Sequence, residues 1–367
     1  MNKNNLVLTG GHAATTAVAV AEEIKRQVKD WRIYWIGVKN AIEGKKVVTL
    51  ESEVLPRLGI KFLAISTGRL QRRFTFWTIP SILKIPTGVV QSFYHLVRIK
   101  PKAVLSFGGF ASFPVVFCAK ILGIPVIIHE QTSAAGRANL MASKFATKIT
   151  LARSSSRKYF PNSDCEVIGN PVMREIMSVG PLANPKDIPT IFVTGGSRGS
   201  QSINTALEKI LKKLLAKYKV IHQTGGLDYL NFSNIKQKLP QALRNNYEVF
   251  VRVNPLEVSK IYSKATMVIS RAGANTVSEI MIVKRPAILI PLPISFLDEQ
   301  TKNAKVAKKW GIAKILTQNN LTARSLMQNI EDTLSTTDEI IKKVKKSKSP
   351  DFEASKKLVN LITVYMK

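Results

Sequence analysis

The sequence predicts an α/β protein built as two doubly wound domains, and three observations carry that expectation. Apolar runs alternate with amphipathic segments from end to end, the pattern of βα units around a parallel sheet. The alternation breaks across Asn170-Pro171 and Gly180-Pro181-Leu182-Ala183-Asn184-Pro185, then restarts. Each half opens with an apolar run that ends in a Gly-Gly turn. At 367 residues the chain has room for two cores.

In the first half Leu6-Val7-Leu8 reads as a strand, followed by a turn and a helix around 17–28. Further strands are expected at 33–36, 62–65, 103–106 and 126–129. After the break, Thr190-Ile191-Phe192-Val193-Thr194 leads through Gly195-Gly196-Ser197 into a helix. There Ile203, Leu207, Ile210, Leu211, Leu214 and Leu215 share one apolar face. Strands follow at 220–222, 247–251, 267–270 and 287–291, and a last helix is expected over 352–366. The basic run Lys342–Lys348 reads as a solvated helix face or a crossing.

Composition narrows the class. Hydrophobic residues make up 45% and charged residues 22%, which argues for packed domains over disorder. Cys118 and Cys165 have neither metal-ligand spacing nor a disulfide framework, as expected in a reducing compartment. The N-terminus runs directly into a strand without a signal-peptide pattern, and no apolar stretch is long enough to span a bilayer. With 55 Lys+Arg against 24 Asp+Glu the net charge is +31, which favours a polyanionic neighbour, either nucleic acid or an anionic leaflet, or reflects general basicity.

The most informative stretch is Ser270-Arg271-Ala272-Gly273-Ala274-Asn275-Thr276-Val277-Ser278-Glu279. It leaves a buried strand through small residues and enters a helix near Asn275, so backbone N–H groups at the helix's positive end can hold a phosphate. Glu279, one turn in, is placed to accept from the vicinal hydroxyls of a sugar. Together they suggest a nucleotide-sugar site. Gly195-Gly196-Ser197 suits a diphosphate in the same way. Gln300, at the start of a helix after the strand ending in Pro291, is an amide suited to sugar hydroxyls.

In the first half, Thr9-Gly10-Gly11-His12, Ser106-Phe107-Gly108-Gly109-Phe110 and His129-Glu130-Gln131-Thr132 each follow a strand. Loops at the strand ends of one sheet converge on one edge, where ligands bind. His12 can serve as a base near neutral pH. Glu130 either acts in catalysis or holds its loop through backbone N–H groups. The segment 69–86 mixes Arg72 and Arg73 with Phe74, Phe76, Trp77 and Ile79, the composition of an interfacial membrane patch. Its prolines, Pro80 and Pro86, argue against one long helix there.

Together these motifs resemble the MurG family of UDP-N-acetylglucosamine (UDP-GlcNAc) transferases. The resemblance runs through Thr9–His12, Gly108-Gly109-Phe110, Gly123–Gln131, Gly169-Asn170-Pro171-Val172, Gly195–Gly199, Arg271–Glu279 and Gln300–Ala304. It implies a GT-B fold of two Rossmann-like domains. Residues 1–169, completed by the helix 351–367, would form the acceptor and membrane side, and residues 170–350 the UDP-sugar domain. It also implies inverting transfer to the C4 hydroxyl of lipid I, the undecaprenyl-pyrophosphoryl-MurNAc-peptide, with His12 as first choice of base and Glu130 as second. Donor contacts would come from Thr9, Gly10, Gly11, Thr132, Met173, Ser197, Ala274, Asn275, Thr276, Val277, Ser278, Glu279 and Gln300. Gly10, Gly11, Gly108 and Gly109 would face the acceptor pyrophosphate. No metal and no cofactor are expected, and the partner surface is the anionic inner leaflet of the cytoplasmic membrane, where the protein would be peripheral.

The chain departs from the family pattern in places. Val7 and Leu8 replace two glycines before Thr9, Ala13-Ala14-Thr15-Thr16 lacks the usual proline, Thr132 stands where Asn is common, and Met173 precedes Arg174 where Arg is usual. These changes leave a different lipid acceptor, such as diacylglycerol, as an alternative. A nucleic-acid-binding protein is the remaining class, and no motif of that kind is present in the sequence.

Overall fold

The computed structural model describes residues 4–11, 13–28, 30–42, 45–68, 78–182, 188–196 and 198–366, without the side chains of 41, 42, 45–47 and 78–82. The chain divides into two compact units, Met1–Met173 with Pro350–Lys367, and Arg174–Ser349.

Unit 1 carries β1 (Asn4–Thr9), β2 (Trp31–Gly37), the hairpin β3 (Asn40–Ile42) and β4 (Lys45–Val48), β5 (Lys61–Ala64), β6 (Ala103–Ser106), β7 (Val126–Glu130), β8 (Lys148–Leu151) and β9 (Cys165–Val167). Seven of them form one parallel sheet in the order β5-β2-β1-β6-β7-β8-β9. Leu6, Val7, Leu8, Val104, Leu105, Ile127 and Ile128 are fully buried, because helices cover both faces of a parallel sheet. That burial is why these strands read as unbroken apolar runs. The helices include α1 (Ala14–Gln27), α2 (Thr78–Ile99), α3 (Phe113–Ile121) and α4 (Arg137–Ala142).

Unit 2 carries β10 (Thr190–Thr194), β11 (Lys219–Gln223), β12 (Tyr247–Phe250), β13 (Met267–Ser270), β14 (Ala287–Leu289) and β15 (Ala313–Ile315) in the parallel order β12-β11-β10-β13-β14-β15. Its helices include α5 (Gln201–Glu208), α6 (Leu211–Leu215), α7 (Val258–Lys264), α8 (Ala274–Val283) and α9 (Glu299–Trp310). The last helix, α10 (Ala354–Tyr365), belongs to unit 1 and packs on α1.

Both sheets run outward in opposite directions from their first strand. Each therefore has a switch point, between β1 and β6 and between β10 and β13, and ligands of such sheets bind there beyond the carboxyl ends. The registers repeat as well: Thr9 lies opposite Ser106, and Thr194 opposite Ser270. Gly10-Gly11, Gly108-Gly109, Gly195-Gly196 and Gly273 follow these four strands. This is the two-domain, doubly wound α/β architecture expected from the sequence.

Two local expectations need correction. The single helix over 203–215 is two helices, because Ile210 N–H closes a tight turn on Leu207 O (3.0 Å); all six apolar residues still reach one core. The prolines do not stop a long helix: α2 runs 22 residues with Pro86 inside it. Pro80 sits in the first turn, where a missing N–H costs nothing, whereas Pro86 removes one internal bond and α2 is held instead by packing on α3.

Candidate functional site

In unit 2 the paired strands β10 and β13 end side by side and lead into the Gly195-Gly196 and Arg271–Gly273 turns. Gln223 ties its surroundings together: Nε2 donates to Thr194 Oγ1 (3.1 Å) and Gly196 O (2.7 Å), while Oε1 accepts from Val253 N (2.9 Å). Arg271 braces the opposite side. Its guanidinium donates to Ile290 O (3.1 Å), Ser202 Oγ (2.6 Å) and Gln318 Oε1 (2.7 Å), joining β13, β14 and α5. Arg271 thus serves as scaffold for the turn that follows. Gly273 is the extended N-cap of α8 and supplies no side-chain cap, and the start of such a helix is the end whose backbone N–H groups and dipole suit an anion. Beneath it the buried Ser270 Oγ has no partner among the described residues.

Glu279 is more enclosed than a surface sugar contact. The residue is 8% exposed, and Tyr262 Oη donates to its Oε2 at 2.9 Å. Burial pushes the carboxyl up to about 7, while the hydrogen bond from Tyr262 opposes that rise. One carboxylate oxygen is therefore held by the protein, and Oε1 takes no bond among the described residues.

Gln300 lies in the first turn of α9. Its Oε1 accepts from Leu292 N (3.0 Å), which leaves Nε2 without a partner among the described residues. The turn before it holds Leu297 and Asp298 in the left-handed region, at φ 52° and 53°. Two consecutive non-glycine residues there cost about 1–2 kcal/mol each. Asn303 Nδ2, one turn further along α9, reaches Ala272 O (3.2 Å) and fixes the helix against the Arg271–Gly273 turn.

In unit 1 the three strand-end loops meet. Gly11 N donates to Gly108 O (2.8 Å), and Gly109, at φ 88°, packs so closely that a Cβ would lie 2.7 Å from Gly11 N. Only glycine fits that crossing. Asn139, from α4, sits over Gly108 and donates to Glu130 Oε2 (2.8 Å). Glu130 also accepts from Gly136 N (2.8 Å), Thr132 N (2.9 Å) and Thr132 Oγ1 (2.7 Å). Four donors on a residue 2% exposed describe a loop clamp, the second of the two roles its sequence context allowed. At the head of α1, Glu51 Oε1 accepts from Ala13 N (2.8 Å), and Thr16 Oγ1 reaches Gln131 Oε1 (3.2 Å).

A second buried network closes unit 1. Asp351 binds Arg153 through both oxygens and accepts from Asn170 N (2.7 Å), so the Gly169-Asn170-Pro171 motif is stapled to the returning chain. His129 joins it through Thr150 Oγ1 (3.0 Å) and Asn170 Oδ1 (3.5 Å), and burial lowers its pKa to about 4.

The remaining sequence candidates fall as follows. Thr9 is fully buried with its hydroxyl donated to Ile36 O (2.8 Å), and the Thr132 hydroxyl is engaged by Glu130. Met173 is buried, while Arg174, the next residue, is exposed. Gly10 packs against Phe107 and Trp35. Ala274 to Ser278 form the first turns of α8, with Val277 and Ser278 buried. His12, Ser197, Arg72, Arg73, Phe74, Phe76 and Trp77 lie outside the described residues, as does the side chain of Ile79. Tyr262, Asn139, Glu51 and Asp351 had no signal in the sequence, since each meets its partner across a fold contact. Among the described residues no cluster of His, Cys, Asp and Glu could hold a metal ion, and no helix is long and apolar enough to cross a membrane.

Comparison with known proteins gives this geometry a family. Residues 9–151 match the glycosyltransferase family 28 N-terminal domain, and residues 190–359 its C-terminal domain. A Clostridium kluyveri protein named UDP-N-acetylglucosamine–N-acetylmuramyl-(pentapeptide) pyrophosphoryl-undecaprenol N-acetylglucosamine transferase is 32% identical, covering 98% of this chain and 99% of its own. The protein of the same name from Legionella pneumophila is also 32% identical, covering 98% and 96%. The crystal structure of Acinetobacter baumannii MurG, 25% identical, matches with a TM-score of 0.71 over 98% of this chain and 99% of that one. The two Gly-rich sheets, the α8 turn and this full-length similarity together place the chain in glycosyltransferase family 28, as a member of the MurG family.

Proposed function

We propose that the protein moves GlcNAc from UDP-GlcNAc to the C4 hydroxyl of the MurNAc residue of lipid I, completing lipid II for peptidoglycan. The observation that carries this reading is similarity above 30%, over nearly the whole chain, to relatives named for that transfer. The C4 oxygen attacks the anomeric carbon, the bond from that carbon to the UDP phosphate oxygen breaks, and the sugar inverts. His12 is the base that takes the hydroxyl proton. Glu130, with its oxygens already filled, keeps the loop in shape for it.

Unit 2 is the donor side in this reading. The N-terminal end of α8 (Ala274–Val277) and Ser197 receive the diphosphate, which lets the protein stabilise the departing UDP electrostatically. Glu279 accepts from the ribose hydroxyls, and Gln300 Nε2 donates to the GlcNAc. Unit 1 is the acceptor side, with Gly10, Gly11, Gly108 and Gly109 against the pyrophosphate. Leu83, Val90, Tyr94 and Val97 form an exposed apolar stripe on α2 at helical spacing, which supports peripheral attachment to the anionic inner leaflet of the cytoplasmic membrane.

The test is transfer of labelled GlcNAc from UDP-GlcNAc to a lipid I analogue, with diacylglycerol as control acceptor. Product on lipid I alone is expected; product on diacylglycerol alone overturns the acceptor assignment. Binding to vesicles containing anionic lipid is expected at low salt and lost at high salt. A His12→Ala variant with wild-type turnover at saturating substrates would remove that residue as the base.

A further inference from the structure

Glu279 does not stand alone in unit 2. Tyr262, on α7, meets it across 17 residues of sequence. The tyrosine is 1% exposed, its ring stands edge-on to Phe192 (5.9 Å between centroids), and its carbonyl accepts from Arg285 Nε (3.1 Å). Arg285 in turn donates to Val283 O (2.7 Å) at the end of α8 and to Gly180 O (3.0 Å). The hydroxyl that reaches Glu279 is thus fixed at both ends: through its ring to β10, and through its backbone to the helix that carries Glu279. Burial holds the phenol well above its ordinary pKa, so it stays a donor throughout the range in which the carboxyl titrates.

We infer that Tyr262 is a positioning residue for donor recognition, holding Glu279 by Oε2 so that Oε1 is presented to the ribose of a uridine nucleotide. The inference rests on the reading that Glu279 contacts the ribose. A phenol–carboxylate hydrogen bond fixes the torsion of the carboxylate and favours its charged form, and the charged form is the better acceptor for two neighbouring hydroxyls. The opposing effects of burial and Tyr262 on the Glu279 carboxyl fit this arrangement.

The experiment is calorimetric binding of UDP and of 2′,3′-dideoxy-UDP to the wild type, Tyr262→Phe and Glu279→Gln. Phenylalanine keeps the ring against Phe192 and removes only the hydroxyl. Tyr262→Phe is expected to weaken UDP about tenfold, the weight of a hydrogen bond to a charged group, while 2′,3′-dideoxy-UDP changes less than about twofold. In turnover, the same variant is expected to raise the KM for UDP-GlcNAc and leave kcat nearly unchanged. In the Glu279→Gln background, Tyr262→Phe is expected to add no further loss. Equal weakening of both nucleotides by Tyr262→Phe, or no weakening of either, overturns the role of Tyr262 while leaving Glu279 in place. If Glu279→Gln instead keeps the wild-type preference for UDP over its dideoxy form, the ribose reading fails and this inference fails with it.

Discussion

The two units share a strand order and a switch-point register, yet treat their strand-end polar groups in opposite ways. In unit 1 most of these groups satisfy one another, with Thr9 donating to Ile36, Gly11 to Gly108 and Glu130 accepting four hydrogen bonds, while the buried Asn139 Oδ1 over Gly108 takes no partner among the described residues. In unit 2 capacity is left over among the described residues, in Gln300 Nε2 and in one oxygen of Glu279. One fold therefore supports two uses. Filled hydrogen bonds suit the shaping of a loop, and unfilled ones suit the ligand site proposed for unit 2. Removing a polar group should cost stability in unit 1 and affinity in unit 2.

The sharpest test of that contrast is Asp351→Ala. The variant deprives the half-buried Arg153 of its bidentate partner and Asn170 N of its acceptor, and should destabilise unit 1 by about 3 kcal/mol in urea unfolding. A loss below about 1 kcal/mol would break the comparison. Next comes pH, which should act on the two units differently: a buried histidine in each loses stability as pH falls, while Glu279, raised to about 7, opposes that loss in unit 2 alone. His129 and His222 are buried and held neutral, with pKa values lowered to about 4 and about 3. The unfolded chain takes up these protons near pH 6.5 and the folded chain resists, so stability is full above that value and falls as pH drops toward 4. Each histidine accounts for roughly 3 kcal/mol by the bottom of that window. Unfolding curves that coincide at pH 7 and pH 4.5 would contradict it.

Glu130→Gln separates clamp from base. An amide places an NH2 group among N–H donors, so a loss of about 2 kcal/mol in stability is expected, with activity falling in step. A drop in kcat of a thousandfold at unchanged stability would make Glu130 the base instead. The smallest effect belongs to Gln300→Ala. It should raise the KM for UDP-GlcNAc about fivefold and lower stability by only about 1 kcal/mol, the weight of the hydrogen bond that Leu292 N loses.

Most central strands were legible because burial on two faces forces continuous apolar runs, as in Leu6–Leu8, Val104–Leu105 and Met267–Ile269, whereas the interior β8, Lys148-Ile149-Thr150-Leu151, was not read because its polar residues break the run. The edge strands β9 and β15 were not, being three residues long and partly exposed, too short for any period to register. The hairpin β3–β4 escaped for the same reason of length. Pro86 misled because a local rule about backbone N–H groups was outweighed by packing of α2 on α3. In the candidate site the Gly-rich loops, Glu279 and Gln300 were readable from residue type and place. Tyr262, Asn139 and Asp351 were not, since nothing local marks a side chain whose partner is 9 to 198 residues away.

The order of residues alone determined two βα-alternating halves, the Gly turns at their leading strands and a phosphate-suited helix start at Ala274. Apolar periodicity and backbone freedom are local properties, and a chain carries them wherever it folds. The tertiary structure decided which polar groups are already satisfied. Glu130 and Glu279 look alike in sequence, each an acidic residue in or just past a strand-end loop. Four donors converge on the first and a single tyrosine on the second, so only the second keeps an oxygen for a ligand. Hydrogen-bond saturation depends on every neighbour that folding brings within about 3 Å, and that is information no stretch of sequence holds.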